Sequence, residues 1–276
     1  KIFLTGGTGF IGSHFINYAH TCGHEILATI KDKKSSSRVP LKKQPEWINI
    51  AINSPDLKKY LSMCDIVVHL ASHSANKPYD SYSRCIFYNV FHGTSFLEHA
   101  IEAGIKKYII AGTCFEYGLS ANNYEKIPIN AELVPTNSYA LSKAMFFSLC
   151  SSLCRQHQIQ IIYPRIFQVY GEGELESRLW PTLKKASFSG EDFSISSEAL
   201  VRDFINVREV AKQLVEYLDN DNLNTKKMFI TNLGTGIGQT VGDFSSYWWN
   251  KWESKGKLIL NNDKTSREIK KIVAEI

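Results

Sequence analysis

No long hydrophobic run occurs in this 276-residue chain. Its longest apolar stretches, such as "YIIAGT" and "IQIIYP", have strand length and fall far short of the roughly 20 residues needed to cross a bilayer. A membrane span, and a membrane partner with it, is not expected. The six cysteines contain no CxxC, and their one close pair, Cys150 and Cys154, has helical i, i+4 spacing with no histidine cluster nearby. That pattern predicts reduced thiols, no metal site and a cytoplasmic protein. A long basic tract is also missing: the net charge of +5 comes with interspersed acids, so nucleic acid is not an expected partner. Internal repeats and low-complexity linkers are absent too, with "KDKKSSSR" the one stretch that reads as a flexible loop. The sequence opens on "KIFLTGG" without an initiator methionine, and a strand starts at once. The expectation is that a residue or more precedes it, with no room for a signal peptide in the stretch seen.

What is present is a beat. Strand-like runs ("KIFLTG", "HEILATI", "DIVVHLA", "KKYIIAGT", "IQIIYPRIF") alternate with helix-like ones ("IGSHFINYAHTCG", "SPDLKKYLSMC", "GTSFLEHAIEAGI", "SYALSKAMFFSLCSSLCRQH"). Continuous apolar strands separated by helices predict βαβ units and a parallel sheet covered on both faces. After Tyr170 the rhythm breaks into "GEGELESRLWPTLKKASFSGEDF", richer in Gly, Glu and Ser, which suggests a smaller second lobe. "LVRDFINVREVAKQLVEYL" and "MFITNLGTG" then return to the strand and helix pattern. The expected architecture is an α/β, Rossmann-like doubly wound parallel sheet with a smaller C-terminal substrate-binding lobe. Residues 1–168 form the first unit and 169–276 mainly the second, with a return to the first near 203–233.

"LTGGTGFIGSHF" sets Gly6, Gly9 and Gly12 between the first strand and the first helix. Small residues there let the backbone approach a pyrophosphate, which sits on unpaired N–H groups at the positive end of the helix. The context of strand and helix makes this a dinucleotide-binding turn. At the end of the second strand, "ATIKDKK" lacks the usual acid that receives ribose hydroxyls in NAD sites. Lys31, Lys33, Lys34 and Arg38, with Ser35 to Ser37, suit a 2'-phosphate, so NADP(H) is favoured; Asp32 keeps NAD(H) as the alternative.

Tyr-x-x-x-Lys occurs twice, at Tyr139/Lys143 and Tyr247/Lys251, where the composition predicts about one by chance. Context separates them. Tyr139 follows "VPTNS", a helix start, which puts Lys143 one turn on along the same face. Tyr247 lies in "SSYWWNKW", remote from any nucleotide motif, and reads as packing. To act near neutral pH a tyrosine needs its pKa lowered by roughly three units, about 4 kcal/mol. A neighbouring ammonium and an oxidised nicotinamide are the expected source. Thr113 ends the "KKYIIAGT" strand, on the side of a parallel sheet where ligands bind, and its hydroxyl can reach a reacting oxygen beside Tyr139.

With Gly6/Gly9/Gly12, "DIVVHLA", Asn89 in "NVFHGT", Thr113, Tyr139/Lys143, "RIFQVYG" and "VRDFINV" in this order, the chain resembles the extended short-chain dehydrogenase/reductase superfamily, in its nucleotide-sugar epimerase/dehydratase branch. The resemblance runs over nearly the whole chain. It implies a catalytic triad in which Thr113 orients the sugar oxygen, Tyr139 transfers the proton, and Lys143 tunes Tyr139 while bonding the nicotinamide ribose. It further implies cofactor contacts from Thr5, Gly6, Gly7, Thr8, Gly9, Phe10, Ile11, Gly12, Leu70, Ala71, Ser72, Asn89 and Phe167. Arg202 matches the family's arginine on the substrate diphosphate, and Thr113, Cys114, Phe115, Gln168 and Arg178 are expected around the substrate.

Three departures stand out. Dehydratases of this family carry acids directly after the threonine, whereas this chain has Cys114 and Phe115 there. Glu116, one place on, is expected to face the other way along an extended segment, so dehydration is not expected. Gln168 replaces the asparagine of "RxFNxYG". The C-terminal third is short, which implies a truncated chain or a missing terminal loop. The implied activity is a 4-ketoreductase of a nucleotide-linked 4-keto-6-deoxyhexose serving surface polysaccharide synthesis, with an NAD-dependent 4-epimerase as the alternative. A sensor that has lost catalysis is a third reading. A homodimer is implied through residues 86–103 and 139–156, where the apolar "AMFFSLCSSLC" suits a four-helix contact or a helix buried on the sheet.

Overall fold

The computed structural model describes residues 1–32, 34–220, 227–261 and 269–276. The strands are β1 (Ile2–Thr5), β2 (Ile26–Ile30), β3 (Glu46–Asn49), β4 (Ile66–His69), β5 (Lys107–Ile110), β6 (Gly112–Thr113) and β7 (Gln160–Ile166). They are followed by β8 (Gln168–Tyr170), β9 (Phe193–Ile195), β10 (Val201–Arg202), β11 (Phe204–Asn206), β12 (Met228–Leu233), β13 (Gln239–Thr240), β14 (Leu258–Leu260) and β15 (Lys271–Ile272). The helices are α1 (Phe10–Thr21), α2 (Lys58–Leu61), α3 (Tyr82–Cys85), α4 (His92–Glu102), α5 (Ser138–His157), α6 (Leu179–Ser189), α7 (Val207–Asp219) and α8 (Val241–Lys251). A π-helical stretch, Ile86–Phe91, joins α3 to α4.

The main sheet runs β3-β2-β1-β4-β5-β7-β12, every neighbour parallel, with β6 pairing on β7. Side chains alternate across it. Phe3, Leu27, Val67, Tyr108, Ile161 and Tyr163 pack into one core, while Ile2, Leu4, Ile26, Val68, Ile109 and Ile162 pack into the other. Burial on both faces is why these strands read as unbroken apolar runs. This is the doubly wound architecture the strand and helix alternation predicts. β3, "EWIN", was not visible in that alternation: it is an edge strand with two exposed glutamate and asparagine ends and only Ile48 buried.

Beyond Tyr170 the chain leaves the sheet and builds α6, α8 and three small sheets, β13-β10-β15, β11-β8 and β14-β9. It comes back twice. β12 adds an edge beside β7. Helix α7 sets Val207, Val210, Ala211, Leu214, Val215 and Leu218 along one stripe at helical spacing, and all six are buried. Each large aliphatic of that stripe contributes about 1.5–3 kcal/mol by leaving water. The apolar face of α5 is likewise occupied from within: Phe146, Cys150, Leu153 and Cys154 belong to the sheet-side core. Most of the "AMFFSLCSSLC" stripe is therefore spent on the sheet. Exposed apolar groups nearby are instead Tyr82 on α3, Phe87 and Phe91 on the π-helical stretch and Met145 on α5.

Candidate active site

The glycine turn is built by close approach. Gly9 N–H donates to the Gly6 carbonyl at 3.0 Å, and a Cβ on Gly12 would stand 2.1 Å from that same oxygen, so only glycine lets α1 start this near the strand. Gly9 is the N-cap of α1 and no side chain caps it; no acidic residue lies in the first turn. Those N–H groups and the helix dipole face a cleft of about 410 Å³ lined by Gly6, Gly9, Phe10, Ile11 and Gly12. Thr5 lies beneath, fully buried. Its Oγ1 meets His69 Nδ1 at 2.7 Å and accepts from Ala71 N–H at 3.3 Å, which ties the turn to the end of β4.

The same cleft reaches Thr113, Tyr139 and Lys143. Asn137 caps α5 by accepting from Ala140 N–H at 2.9 Å, which puts Tyr139 in the first turn and Lys143 one turn on. Thr113 sits on β6, in register with Ile166. Its hydroxyl accepts from Phe115 N–H at 3.3 Å, and its own N–H donates to Glu116 Oε1 at 2.9 Å, a capping box that starts the short turn Cys114–Glu116. That turn is helical, not extended. Glu116 still points away from the cleft, because its carboxylate is drawn under the threonine to Arg165 Nε at 2.9 Å and Tyr163 hydroxyl at 3.0 Å. All three candidate groups are at most 7% exposed.

Burial dominates their electrostatics. It pushes the Tyr139 phenol well above its ordinary pKa, and the Glu116 carboxylate adds to this; hydrogen bonds from the Ser72 and Thr113 hydroxyls pull the other way. Burial also lowers Lys143, against the pull of Glu116 and Cys150. The protein groups alone thus favour the protonated phenol; the lowering expected from the sequence included the charge of an oxidised nicotinamide. Burial is the largest cause of that shift.

A second cavity of about 450 Å³ lies in the C-terminal lobe, lined by Arg178, Arg202, Phe193 to Ser197, Phe204 and Phe244. It shares Gln168, Val169, Glu174 and Arg178 with the first cleft, so the two hollows meet along one edge.

A family model described as NAD dependent epimerase/dehydratase family matches residues 2–234. The chain belongs to this family. A UDP-glucose 4-epimerase of Mycoplasma genitalium is 29% identical over 273 residues, 86% of this chain and 77% of that protein. A putative UDP-arabinose 4-epimerase of Arabidopsis thaliana is 25% identical over 280 residues, 88% of this chain but 62% of the plant protein's length. A UDP-glucose 4-epimerase structure from Stenotrophomonas maltophila, with bound NAD and formylated UDP-arabinopyranose, superposes with a TM-score of 0.85 at 19% identity, covering 100% of this chain and 89% of that one. At that identity the likeness speaks for the fold.

As a member of the epimerase/dehydratase family the chain is an enzyme, and its residues sort by position. Leu70, Ser72, Phe115, Phe167, Gln168 and Arg178 line the cleft with the glycine turn, Thr113, Tyr139 and Lys143. A Cβ on Gly7 would stand 3.2–3.3 Å from Ile16, Leu4 and Trp47, and the Thr8 carbonyl accepts from Arg38 N–H, so both shape the turn from behind. Ala71 holds Thr5. Asn89 is buried and braces the loop after β4: its Oδ1 accepts from His73 N–H at 2.7 Å, and its Nδ2 donates to the His73 carbonyl and to Ser142 Oγ. Cys114 does not line either cavity; it is buried with Tyr117, Ala121 and Phe167 in a core beneath the site. Among the basic residues near β2, Arg38 reaches the cleft and Lys31 is exposed outside its lining, while Lys33 lies outside the described residues. Arg202 lines the second cavity, and its guanidinium donates to the carbonyls of Val201, Lys270 and Ile269. Two residues near the site escaped sequence reasoning. Tyr79 stacks on Tyr139, rings 6.1 Å apart and 11° from parallel. Glu174 lines both cavities; its one signal was an acid inside the glycine-rich "GEGE".

Proposed function

We propose that this enzyme oxidises or reduces a ring carbon of a nucleotide-linked sugar, with Tyr139 as proton donor and acceptor, Thr113 orienting the reacting oxygen and Lys143 supporting the phenol. The observation that carries the reading is the arrangement itself: a buried Thr–Tyr–Lys cluster at the carboxyl edge of a parallel sheet, in one cleft with an uncapped glycine turn. A nicotinamide dinucleotide bound there supplies the hydride chemistry. Gly6 to Gly12 and the α1 N-terminus suit its pyrophosphate, and Arg38 suits the adenosine end. Residues 1–168 then form the cofactor unit, and 169–276, apart from the return near 203–233, the sugar-nucleotide unit with Arg178 and Arg202 toward the diphosphate.

Chemistry follows from the held proton. A phenol kept protonated by burial gives up its proton when negative charge develops on the sugar oxygen beside it, and the Thr113 and Ser72 hydroxyls steady the phenolate left behind. The reverse step needs added positive charge, which an oxidised nicotinamide brings. Both directions serve a 4-epimerase, the reading that the named relatives favour. A 4-ketoreductase needs the donor direction alone; Arg38 on the cleft and the absence of acids at 114 and 115 support it, with NADPH as reductant. We further propose a cytoplasmic homodimer whose contact includes Phe87, Phe91 and Met145, to be checked by light scattering. Among the described residues no helix is long and apolar enough to cross a membrane.

The test is purified protein with NADPH and a panel of nucleotide 4-keto-6-deoxyhexoses, then with UDP-hexoses and NAD, following nicotinamide absorbance and sugar product together. Stoichiometric NADPH loss identifies the reductase; interconverted hexoses without net NADH identify the epimerase. Tyr139→Phe is expected to lower turnover by about 10²–10⁴-fold with cofactor affinity kept. Full activity in that variant would sink the mechanism.

A further inference from the structure

The loop between β8 and α6 is fixed on several sides. His14 Nε2 meets the Glu172 carbonyl at 2.8 Å, Glu172 pairs with Lys184, and Gly173, at φ +84°, lies so close to Val39 that a Cβ there would approach it to 2.8 Å. On this loop Glu174 is 7% exposed at its side chain. Its Oε1 takes Arg178 Nε at 3.3 Å, and among the described residues its buried Oε2 has no hydrogen-bond partner. Burial pushes this carboxyl up to about 7, although Arg178 and the Gly171 backbone favour its charge.

A half-satisfied buried carboxyl is costly, and Glu174 lines both the first cleft and the second cavity. In its ionised form the carboxylate only accepts hydrogen bonds, so the partner that completes that form is a donor. The adjacent Arg178 offers the complementary cation. A nucleoside diphosphate brings both groups, phosphates for the arginine and ribose hydroxyls for the glutamate. We infer that Glu174 is a ribose-recognition residue whose Oε2 accepts from a ribose hydroxyl of a nucleotide bound at this shared edge. The inference rests on the proposed function, and the ribose belongs either to the sugar nucleotide or to the adenosine of the dinucleotide.

Calorimetric titration of the full chain with UDP against its 2',3'-dideoxy form, and with ADP against its dideoxy form, tests this and names the source. The wild type is expected to prefer the ribo form of one pair by about tenfold, the worth of a hydrogen bond to a charged group. Glu174→Ala should erase that preference while holding the dideoxy affinity within about twofold; the pair that shows it gives the ribose its owner. Glu174→Met, similar in volume and without an acceptor, repeats the test should the smaller side chain unfold the loop. A preference that survives both variants, or none in the wild type, overturns the role of Glu174 and leaves the proposed function standing. Failure of the wild type to bind any of the four nucleotides overturns both.

Discussion

Two glutamate–arginine pairs flank the same cleft and are finished to different degrees. In Glu116–Arg165 every strong group is answered: the carboxylate takes Thr113 N–H, Tyr163 O–H and Arg165 Nε, and the guanidinium also reaches Tyr117 and the Ile129 carbonyl between the rings of Tyr117 and Phe147. In Glu174–Arg178 one long contact joins the charged groups, with the Gly171 backbone near, and among the described residues the Glu174 Oε2 has no hydrogen-bond partner. A complete buried network belongs to the scaffold and here fixes the backbone of Thr113; an incomplete one at a cavity edge is shaped for something that arrives later.

Breaking the complete pair should have the largest effect. Glu116→Ala strands a buried guanidinium and is expected to cost about 3–5 kcal/mol in urea unfolding. A loss below about 1 kcal/mol would show that the network is not a unit. The incomplete pair should respond with the opposite sign. Glu174 holds its proton more tightly in the folded chain, about 7 against an ordinary 4.5, so its contribution is fully present below pH 4.5 and is lost as pH rises through 7. Glu174→Gln removes that slope, and above pH 7 it should be more stable than the wild type by roughly 1–3 kcal/mol, read from melts across pH 4 to 8. Equal pH slopes in the two proteins would mean that the carboxyl is satisfied. The smallest effect belongs to Arg178→Lys: the side chain is 28% exposed, and the change should cost less than about 1 kcal/mol of stability. Arg165→Lys, fully enclosed, should cost clearly more.

Much of the site was legible because local rules write it. The glycine turn, the Asn137 cap and the Tyr139/Lys143 spacing depend on residues within one helical turn of each other. The sheet was legible because its strands are apolar on both faces, and β3 was missed because only Ile48 carries that signal. Glu116 and Glu174 could not be told apart in sequence. The partners that decide between them, Tyr163 and Arg165 in one case and a cavity edge in the other, are set by tertiary packing. The same holds for Cys114, whose position beside Thr113 suggested a substrate contact until the helical turn carried it into the core. The direction of the Tyr139 pKa needs burial, which spacing does not report.

The carboxylate next to Arg202 has a kinetic consequence. Asp203, fully buried beside Arg202, collects N–H and hydroxyl donors from Thr235, Gly236 and Ala274, at separations of 32, 33 and 71 residues. The glycine turn closes over three residues. Contacts that span long loops form late, since the chain entropy must be given up before they reward it. The local Gly9–Gly6 bond is therefore expected to form before the bonds to Asp203, and pulse-labelled hydrogen exchange should find the Gly9 N–H protected before those of Gly236 and Ala274. A bond inside one turn thus precedes the bonds that gather distant segments on one carboxylate.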